Sequence, residues 1–329
     1  MRILVYDVAA ESGGAVTVLE SFYEEFSRDK KNRYVFVLGR YELQRTENIR
    51  VLCYPWVKKS PLHRLYFEWV KAPRIIKKYR IDRVLSLQNI GLPRAEVPQE
   101  LYEHNALPFS EHRFRLKDGY RPWLTQQLLG RLMKRSIRHA EKVMVQTRWM
   151  KEAIVRQCGI PREKVEVKFP AVEMLPTESW KLNSECPIFL YPANASAYKN
   201  HRTLLAACKL LQERGFTAYR MIWTVTGEEN GGIRAIRRAA EQAGLPVEFR
   251  GSVTRRELFD LYASSILVFP SYVETVGMPL LEAQSAEAPI LAADCPYARD
   301  IAGDYDRAEF LPVFDADAWC AAMLGSLEN

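Results

Sequence analysis

The sequence lacks the features that would anchor it in a membrane or hold it together through disulfides or metals. Its six cysteines, at 53, 158, 186, 208, 295 and 320, are scattered, with no CxxC pair and no metal-ligand spacing. The longest apolar runs have the length of a strand, so we expect no transmembrane helix. The first ten residues, MRILVYDVAA, reach the charged Asp7 too soon for a signal peptide and predict a β-strand instead. We therefore expect reduced, packed thiols and a cytoplasmic protein.

Low-complexity tracts and repeats of solenoid period are also missing, which excludes a repeat array or a disordered chain. Hydrophobic residues make up 48% of the sequence and charged residues 26%, an ordinary globular mixture. The length of 329 residues exceeds one typical hydrophobic core. Two domains are therefore predicted.

Strand-like and helix-like segments alternate along the chain, which predicts parallel α/β domains. In the first half, the predicted strands are RILVYD, YVFVLG, RVLSLQ, KVMVQT and VEVKF, and the predicted helices span 16–28, 62–79 and 122–139. Proline and polar residues interrupt the pattern at about 170–186. In the second half, the predicted strands are PIFLYP, RMIWTVTG, VEFRG and ILVFP, and the predicted helices span 201–214, 233–243 and 255–263. We predict a Rossmann-like domain over 1–170, a linker over 171–185 and a second Rossmann-like domain over 186–329.

Charge is divided unequally between the two halves. Residues 1–170 carry 33 Lys and Arg against 19 Asp and Glu, a balance of +14, whereas residues 171–329 carry 14 against 21, a balance of −7. The basic residues concentrate in 58–80 and 113–138, among the aromatic residues Trp56, Tyr66, Phe67, Trp69, Phe114 and Trp123. Such clusters fit an anionic membrane surface or a lipid diphosphate. The alternative is a solvated basic face with the aromatic rings turned inward, and no nucleic-acid motif is present, so no nucleic acid is expected as a partner.

Two glutamates flank a glycine in VFPSYVETVGMPLLEAQSAEAPILAAD, residues 268–294. A short apolar strand ends at Pro270, and a helix is predicted over 276–287. The intervening turn therefore lies at the carboxyl end of a strand, where open α/β sheets bind ligands and where a helix N-terminus favours an anion. Glu274 precedes the helix and Glu282 lies two turns along it, so the two carboxylates should meet different parts of one phosphate-linked ligand with hydroxyls at both ends. The alternative is a solvated helix face.

These residues closely resemble the Glu-x7-Glu signature of the retaining glycosyltransferases of family four (glycosyl transferases group 1), and the resemblance covers nearly the whole chain. It implies an α/β fold of the GT-B type, with two Rossmann-like parallel-sheet domains facing a central cleft. It further implies that Glu274 binds the hydroxyls of the donor sugar and that Glu282 binds the ribose of the nucleotide. The backbone between them would meet the diphosphate, through Thr275, Val276, Gly277 and Met278.

Three further sites match the family. Gly13 and Gly14 follow the first strand, where the resemblance implies a loop that faces the donor diphosphate. Lys199 stands where the family has a lysine that clamps the diphosphate, but the position of the family's arginine holds Asn194, which is a departure. His104 ends a short strand, where the family places a histidine near the donor sugar and the acceptor; on its own, a single histidine is more often structural.

The resemblance implies a retaining, metal-independent hexosyltransferase without a cofactor. Its donor would be a UDP- or GDP-sugar, and its acceptor a glycan or polyprenyl-linked molecule in surface polysaccharide or glycolipid synthesis. We expect it to lie peripherally on the inner face of the membrane. A nucleotide-sugar epimerase and a non-catalytic nucleotide-sugar-binding or membrane-docking module are the alternatives. Family members usually continue into a long helix that crosses back to the first domain, whereas this sequence ends at Asn329. Either the crossover helix is absent or the sequence is shortened, and we expect looser domain closure without it.

Overall fold

A computed structural model of the chain describes residues 1–11, 13–116, 119–170, 174–176, 178–182 and 185–327. The chain divides into two compact units. The first unit comprises Met1–Glu111 and Arg121–Val172, and the second comprises His112–Tyr120 and Glu173–Asn329. Within the predicted linker, residues 171–173, 177, 183 and 184 lie outside the described residues. Other parts of that segment bond to the second unit, since Trp180 N–H donates to Ala286 O (2.9 Å) and Lys181 N–H donates to Ala263 O (3.0 Å).

The first unit contains a parallel seven-stranded sheet in the order β3-β2-β1-β4-β5-β6-β7. Its strands are β1 (Arg2–Asp7), β2 (Arg33–Leu38), β3 (Ile49–Cys53), β4 (Arg83–Ser86), β5 (Gln99–Glu103), β6 (Lys142–Val145) and β7 (Val165–Val167). Its helices are α1 (Gly14–Ser27), α2 (Pro61–Tyr66), α3 (Ala72–Tyr79), α4 (Tyr120–Leu124), α5 (Gly130–His139) and α6 (Arg148–Cys158). One π-turn joins α2 to α3 (Phe67–Lys71), and another joins α4 to α5 (Thr125–Leu129).

Helices cover both faces of this sheet, which explains why its strands are apolar runs rather than alternating ones. Successive residues of a strand point to opposite faces. Val5 accordingly packs in one cluster with Phe22 of α1, whereas Leu4 packs in the other with Phe67 and Ile75. The connections from β3 to β4, β5 to β6 and β6 to β7 run in one direction across the sheet, so right-handed crossovers place α3, α5 and α6 on the same face.

The second unit contains a parallel six-stranded sheet in the order β10-β9-β8-β11-β12-β13. Its strands are β8 (Ile188–Tyr191), β9 (Arg220–Trp223), β10 (Val247–Phe249), β11 (Ile266–Phe269), β12 (Ile290–Ala293) and β13 (Ala308–Leu311). Its helices after residue 200 are α7 (His201–Glu213), α8 (Gly231–Gln242), α9 (Arg255–Tyr262), α10 (Met278–Ser285), α11 (Pro296–Ala302) and α12 (Ala316–Gly325). All four residues of β11 are buried, so this central strand fixes where the following loop begins.

The two parallel α/β sheets confirm the predicted fold class. The sequence patterns do not predict helices α6 and α11, and two further details differ from the sequence-based expectation. The strand β3 was not predicted, because it is a short strand at the sheet edge with Arg50 and Cys53 exposed and so lacks an apolar run. The helix predicted over 276–287 is shorter, Met278–Ser285, because Gly277 adopts the left-handed conformation and caps it. In the described part of the chain, no helix is long and apolar enough to cross a membrane.

Candidate active site

The loop between β11 and α10 is held by a glycine that no other residue could replace without strain. Gly277 has φ 76° and ψ 57°, a left-handed conformation that disfavours side chains. A Cβ at this position would also lie 2.9 Å from Cε2 of the buried Tyr297. Pro279 follows in the first turn of α10, where its missing N–H costs nothing. The loop thus delivers the helix N-terminus, with its unpaired N–H groups and partial positive charge, to the carboxyl edge of the sheet.

Glu274 lies in this loop and is already bound to a cation. Its carboxylate forms a short ion pair with Lys199 and accepts a hydrogen bond from Ser271 Oγ at 2.6 Å. The side chains of Lys199 and Glu274 are 11% and 16% exposed, so the pair is mostly shielded but still reachable. Residues 75 apart in sequence therefore meet in one small polar cluster.

Lys199 reaches Glu274 because its own loop is tied to the end of β11. Tyr272 N–H donates to Tyr198 O at 3.1 Å, next to the lysine. Asn200 has φ 57° and donates from Nδ2 to Pro270 O (3.4 Å) and to Val313 O (2.8 Å). These bonds fix the start of α7 against the loop of Glu274, so Lys199 needs no rearrangement to face the loop.

Glu282 lies within α10 and has different partners. It is only 4% exposed. Its Oε2 accepts a hydrogen bond from the buried Tyr262 hydroxyl at 3.0 Å, and its Oε1 lies 3.2 Å from NH1 of Arg255. Both partners belong to α9, at its first and last residues. The structure therefore gives each of the two predicted glutamates its own cation, Lys199 for Glu274 and Arg255 for Glu282.

Asn194 lies on the loop after β8 and is exposed. Its Oδ1 accepts a hydrogen bond from Ser196 N–H at 3.0 Å, which stabilises the turn before Lys199. An amide carries no charge, so this position supplies no cation to the loop.

The predicted residues Gly13, Gly14 and His104 belong to the first unit. Gly13 has φ 63° and ψ −153°, and its carbonyl accepts from Val16 N–H (2.9 Å) at the start of α1. Both glycines are exposed, and a Cβ at either position would meet nothing within 4 Å. The backbone conformation therefore requires glycine at 13, while space for a side chain exists at both.

His104 follows β5 and is held by Asn89. Its backbone N–H donates to Asn89 Oδ1 at 2.7 Å, and its Nε2 lies 3.3 Å from Asn89 Nδ2. Burial lowers the pKa of His104 to about 4, so the imidazole is neutral at pH 7. Its Nδ1 is buried and has no hydrogen-bond partner among the residues that the structure describes. A neutral imidazole with an unused nitrogen can bind a hydroxyl.

Sequence inspection missed four residues of the second unit that complete the site: Ser271, Tyr262, Arg255 and Tyr297. Ser271, three residues before Glu274, is the one that local spacing could have indicated. Tyr262 and Arg255 contact Glu282 only because α9 packs beside α10. Within the described ranges, no group of three or more His, Cys, Asp or Glu side chains could hold a metal ion.

The chain is similar to known glycosyltransferases. The model of "Glycosyl transferases group 1" matches residues 177–329, and that of "Glycosyltransferase Family 4" matches residues 12–173. D-inositol 3-phosphate glycosyltransferase from Streptomyces scabiei is 30% identical over 175 residues, which are 48% of this chain and 39% of that protein. The corresponding protein of Streptomyces avermitilis is 28% identical over 196 residues, 54% of this chain and 42% of that protein. The chain thus spans about two fifths of the curated relatives it matches.

Solved structures show the same fold at low identity. A lipopolysaccharide outer core galactosyltransferase matches with a TM-score of 0.69 and 15% identity, over 100% of this chain and 90% of that one. A sucrose-phosphate synthase from Thermosynechococcus elongatus matches with a TM-score of 0.70 and 15% identity, over 100% of this chain and 90% of that one. Anabaena HepE in complex with UDP and glucose matches with a TM-score of 0.67 and 15% identity, over 99% of this chain and 90% of that one. The two family models together span nearly the whole sequence, and the chain therefore belongs to the GT-B glycosyltransferases of group 1 and family 4.

Proposed function

We propose that this protein transfers a sugar, with retention of configuration, from a nucleotide-sugar donor to a glycan or lipid-linked acceptor. The observation that carries the proposal is the arrangement of Glu274 and Glu282 around the left-handed Gly277, at the N-terminus of a helix that follows a buried strand. Lys199 already lies against the first of these glutamates. A diphosphate flanked by a sugar and a ribose offers hydroxyls at both ends and negative charge in the middle, which this arrangement would complement.

In the proposed complex, each part of the donor has a partner in the second unit. Glu282 would accept hydrogen bonds from the ribose hydroxyls, and Glu274 from the hydroxyls of the sugar. The backbone from Thr275 to Met278 and the N-terminus of α10 would hold the diphosphate. Anabaena HepE has been solved with UDP and glucose, which supports a UDP-sugar as the first donor to test; a GDP-sugar is the other candidate.

In the proposed reaction, the protein's main task is to stabilise the charge of the leaving group. The donor's own phosphate would take the proton of the acceptor on the same face of the sugar, so no protein nucleophile is needed. The protein then has to position two substrates and stabilise charge on the departing diphosphate. Lys199 and the amides of the loop would supply that stabilisation without a metal ion. When the donor binds, the ammonium group of Lys199 would contact the diphosphate as well as Glu274.

We further propose that the first unit binds the acceptor, with His104 as a contact, and that the loop of Gly13 and Gly14 meets the donor diphosphate. The unused and buried Nδ1 of His104 supports this, since a polar group without a partner is costly unless a ligand completes it. The neutral state of this imidazole at pH 7 suits a hydroxyl ligand.

The first unit also has a surface suited to an anionic membrane. On the helix from α2 into the π-turn, Leu62, Leu65, Tyr66 and Trp69 are 75%, 52%, 51% and 41% exposed, at the spacing of one helix face. Arg94 lies over the Trp69 ring at 4.8 Å. The segment 57–80 carries eight Lys and Arg against one acid, Glu68. Exposed aromatic and aliphatic residues among cations are typical of helices that lie in a lipid interface.

A second exposed apolar set, Leu128, Leu129 and Leu132, lies where α4 leads into α5, in a stretch from 120 to 139 with five basic residues and no acid. The cytoplasmic leaflet is negatively charged and attracts such basic segments. We therefore propose a peripheral location on the inner face of the membrane, where a polyprenyl-linked acceptor of polysaccharide or glycolipid synthesis would be reached.

A non-catalytic nucleotide-sugar-binding module remains the second candidate, because Asn194 replaces a cation that would assist the leaving group. Incubation with labelled UDP- and GDP-sugars, with and without membrane lipid extract, separates the two. A glycosyltransferase should release free nucleotide faster when acceptor is supplied, should do so in the presence of EDTA, and should give a product with the anomeric configuration of the donor. Donor binding without turnover in every extract would favour the module, and turnover without acceptor or transfer would favour an epimerase.

A further inference from the structure

We propose that Arg255 is a positioning residue of the donor site, whose role is to neutralise Glu282 so that a polyanionic nucleotide can bind beside it. This inference rests on the proposed function, because it takes Glu282 as the ribose-binding residue. It adds a residue and a physical role that the Glu-x7-Glu pattern does not contain.

The need for such a residue follows from electrostatics. A nucleoside diphosphate carries several negative charges, and both glutamates of the site are acids that would repel it. Glu282 is 4% exposed, so water screens its charge poorly. Glu274 faces the same difficulty and is held by Lys199. An unpaired carboxylate at Glu282 would oppose the ligand that the site is proposed to bind.

Arg255 is placed to remove that repulsion. Its NH1 lies 3.2 Å from Glu282 Oε1, and its side chain is 42% exposed, whereas Tyr262 approaches the other oxygen from a fully buried position. The buried tyrosine and the part-exposed arginine therefore meet different oxygens of the Glu282 carboxylate.

The position of Arg255 is fixed by its helix. It is the first residue of α9, directly after Thr254, which forms a capping box with Glu257. Its guanidinium also lies over the Phe259 ring at 5.3 Å from the centroid. The neighbouring Arg256 points elsewhere, to Asp260 (3.1 Å) and to Pro176 O (3.0 Å). Two adjacent arginines of one helix thus differ in whether they touch the donor-site carboxylate, which provides a matched control.

The test is calorimetric titration of the full chain with UDP and with uridine, and with GDP and guanosine if UDP does not bind. Arg255→Ala should weaken UDP binding tenfold or more and uridine binding less than threefold, because only UDP carries the repelled charge. Arg256→Ala should change either affinity less than twofold. In a Glu282→Gln background, Arg255→Ala should cost less than twofold for UDP, because the charge that it neutralises is gone. Arg255→Lys should restore part of the loss.

The outcomes separate this inference from the function on which it rests. If Glu282→Gln leaves UDP and uridine binding unchanged, the proposed placement of the ribose is wrong and the inference falls with it. If Glu282→Gln weakens binding but Arg255→Ala does not, the inference alone is overturned. Equal losses for UDP and uridine, or the same loss in the Glu282→Gln background, would show that Arg255 merely supports the fold, and thermal unfolding of each variant would confirm that reading.

Discussion

The two units treat a buried glutamate in opposite ways. Glu282 of the second unit is 4% exposed and is met by a tyrosine hydroxyl and an arginine. Glu103 of the first unit is fully buried, and neither carboxylate oxygen has a hydrogen-bond partner among the described residues. Burial raises the pKa of Glu103 well above its usual value. Glu282 thus has an ion-pair partner and a hydrogen-bond donor, whereas burial pushes Glu103 toward its neutral form.

The distribution of cations follows the same division. The second unit holds a cation against each donor-site glutamate, although residues 171–329 are acidic as a whole, at −7. Residues 1–170 carry +14, and Lys58, Lys59, Lys77 and Lys78 are all exposed. Two cations of the second unit thus pair with acids, Lys199 with Glu274 and Arg255 with Glu282. The first unit has cations at its surface, where a large anionic partner could meet them.

The largest expected effect concerns the surface charge of the first unit. Changing Lys58, Lys59, Lys77 and Lys78 to glutamate should abolish sedimentation with anionic vesicles, since each cation near a charged surface is worth about 1 kcal/mol. Wild-type binding should also fall as salt shortens the Debye length from about 10 Å at 0.1 M to about 3 Å at 1 M.

The matched control reverses four exposed cations of the second unit: Arg202, Lys209, Arg234 and Arg238. That variant should sediment like wild type, and both variants should stay folded by thermal unfolding. Donor binding should be unchanged in the first-unit variant. The proposal is contradicted if the first-unit variant still sediments fully, or if wild type binds neutral and anionic vesicles equally. The basic surface would then bind another ligand, such as a soluble acidic glycan.

The next effect concerns Lys199. Lys199→Ala should lower the turnover rate by a factor of tens or more, because stabilising a developing anion in a closed site is typically worth about 3 kcal/mol. Lys209→Ala, which changes an exposed lysine of the following helix α7, should leave the rate unchanged. Steady-state rates of wild type and both variants, measured with saturating donor, test this prediction. A wild-type rate in Lys199→Ala would mean that the diphosphate lies elsewhere.

The two donor-site glutamates should differ in what they bind. Glu282→Ala should weaken binding of nucleoside diphosphate alone, whereas Glu274→Ala should mainly slow transfer, because the first is assigned to the ribose and the second to the sugar. Charge-assisted hydrogen bonds are at stake, so each loss should be about 1.5 to 3 kcal/mol. Calorimetry with nucleoside diphosphate, beside a transfer assay, measures both. Equal weakening of the nucleotide in the two variants would reject this division of roles.

The smallest effect sharpens the comparison of Glu103 with Glu282. Glu103→Met should stabilise the first unit at pH 8 by about 1 to 3 kcal/mol, because it removes a buried acid without partners. Glu282→Met should destabilise the second unit by a similar amount, since it leaves Tyr262 unpaired. Urea denaturation of both variants would show the opposite signs.

The pH dependence of the Glu103 variant follows from the direction of its pKa shift. The folded state binds the proton of Glu103 more tightly than the unfolded state, so this group favours folding in acid and that advantage is lost as pH rises above about 4.5. The gain from Glu103→Met should therefore grow between pH 4.5 and pH 8. A gain independent of pH would mean that the carboxyl does not titrate as its burial implies.

Structural features that depend on residues adjacent in the sequence could be predicted from it. Buried central strands such as β11 are continuous apolar runs, and the turn from Pro270 to Gly277 carries its own glycine and proline signals. The edge strand β3 could not be predicted from the sequence, because Arg50 and Cys53 break its apolar pattern. Positions at the ends of predicted elements, among them Glu274 and Lys199, could therefore be proposed as site residues.

Contacts between distant segments were beyond such reasoning. Lys199 meets Glu274 across 75 residues, and Arg255 meets Glu282 across 27, through packing of whole helices. The segment 112–120 likewise groups with the second unit, because Phe114 and His112 pack on Tyr272, with ring centroids 6.0 and 4.7 Å away. No local pattern specifies which face of a helix another element will cover.

The central claim, that the second unit binds a nucleotide sugar, is tested most directly by thermal unfolding of the full chain against a panel of UDP- and GDP-sugars. A ligand at one hundred times its dissociation constant stabilises the folded state by about 2.7 kcal/mol. We expect one nucleotide class to raise the unfolding temperature in wild type and the rise to be lost in Glu282→Ala. No rise with any nucleotide sugar at millimolar concentration, or a rise that persists in Glu282→Ala, would contradict the account.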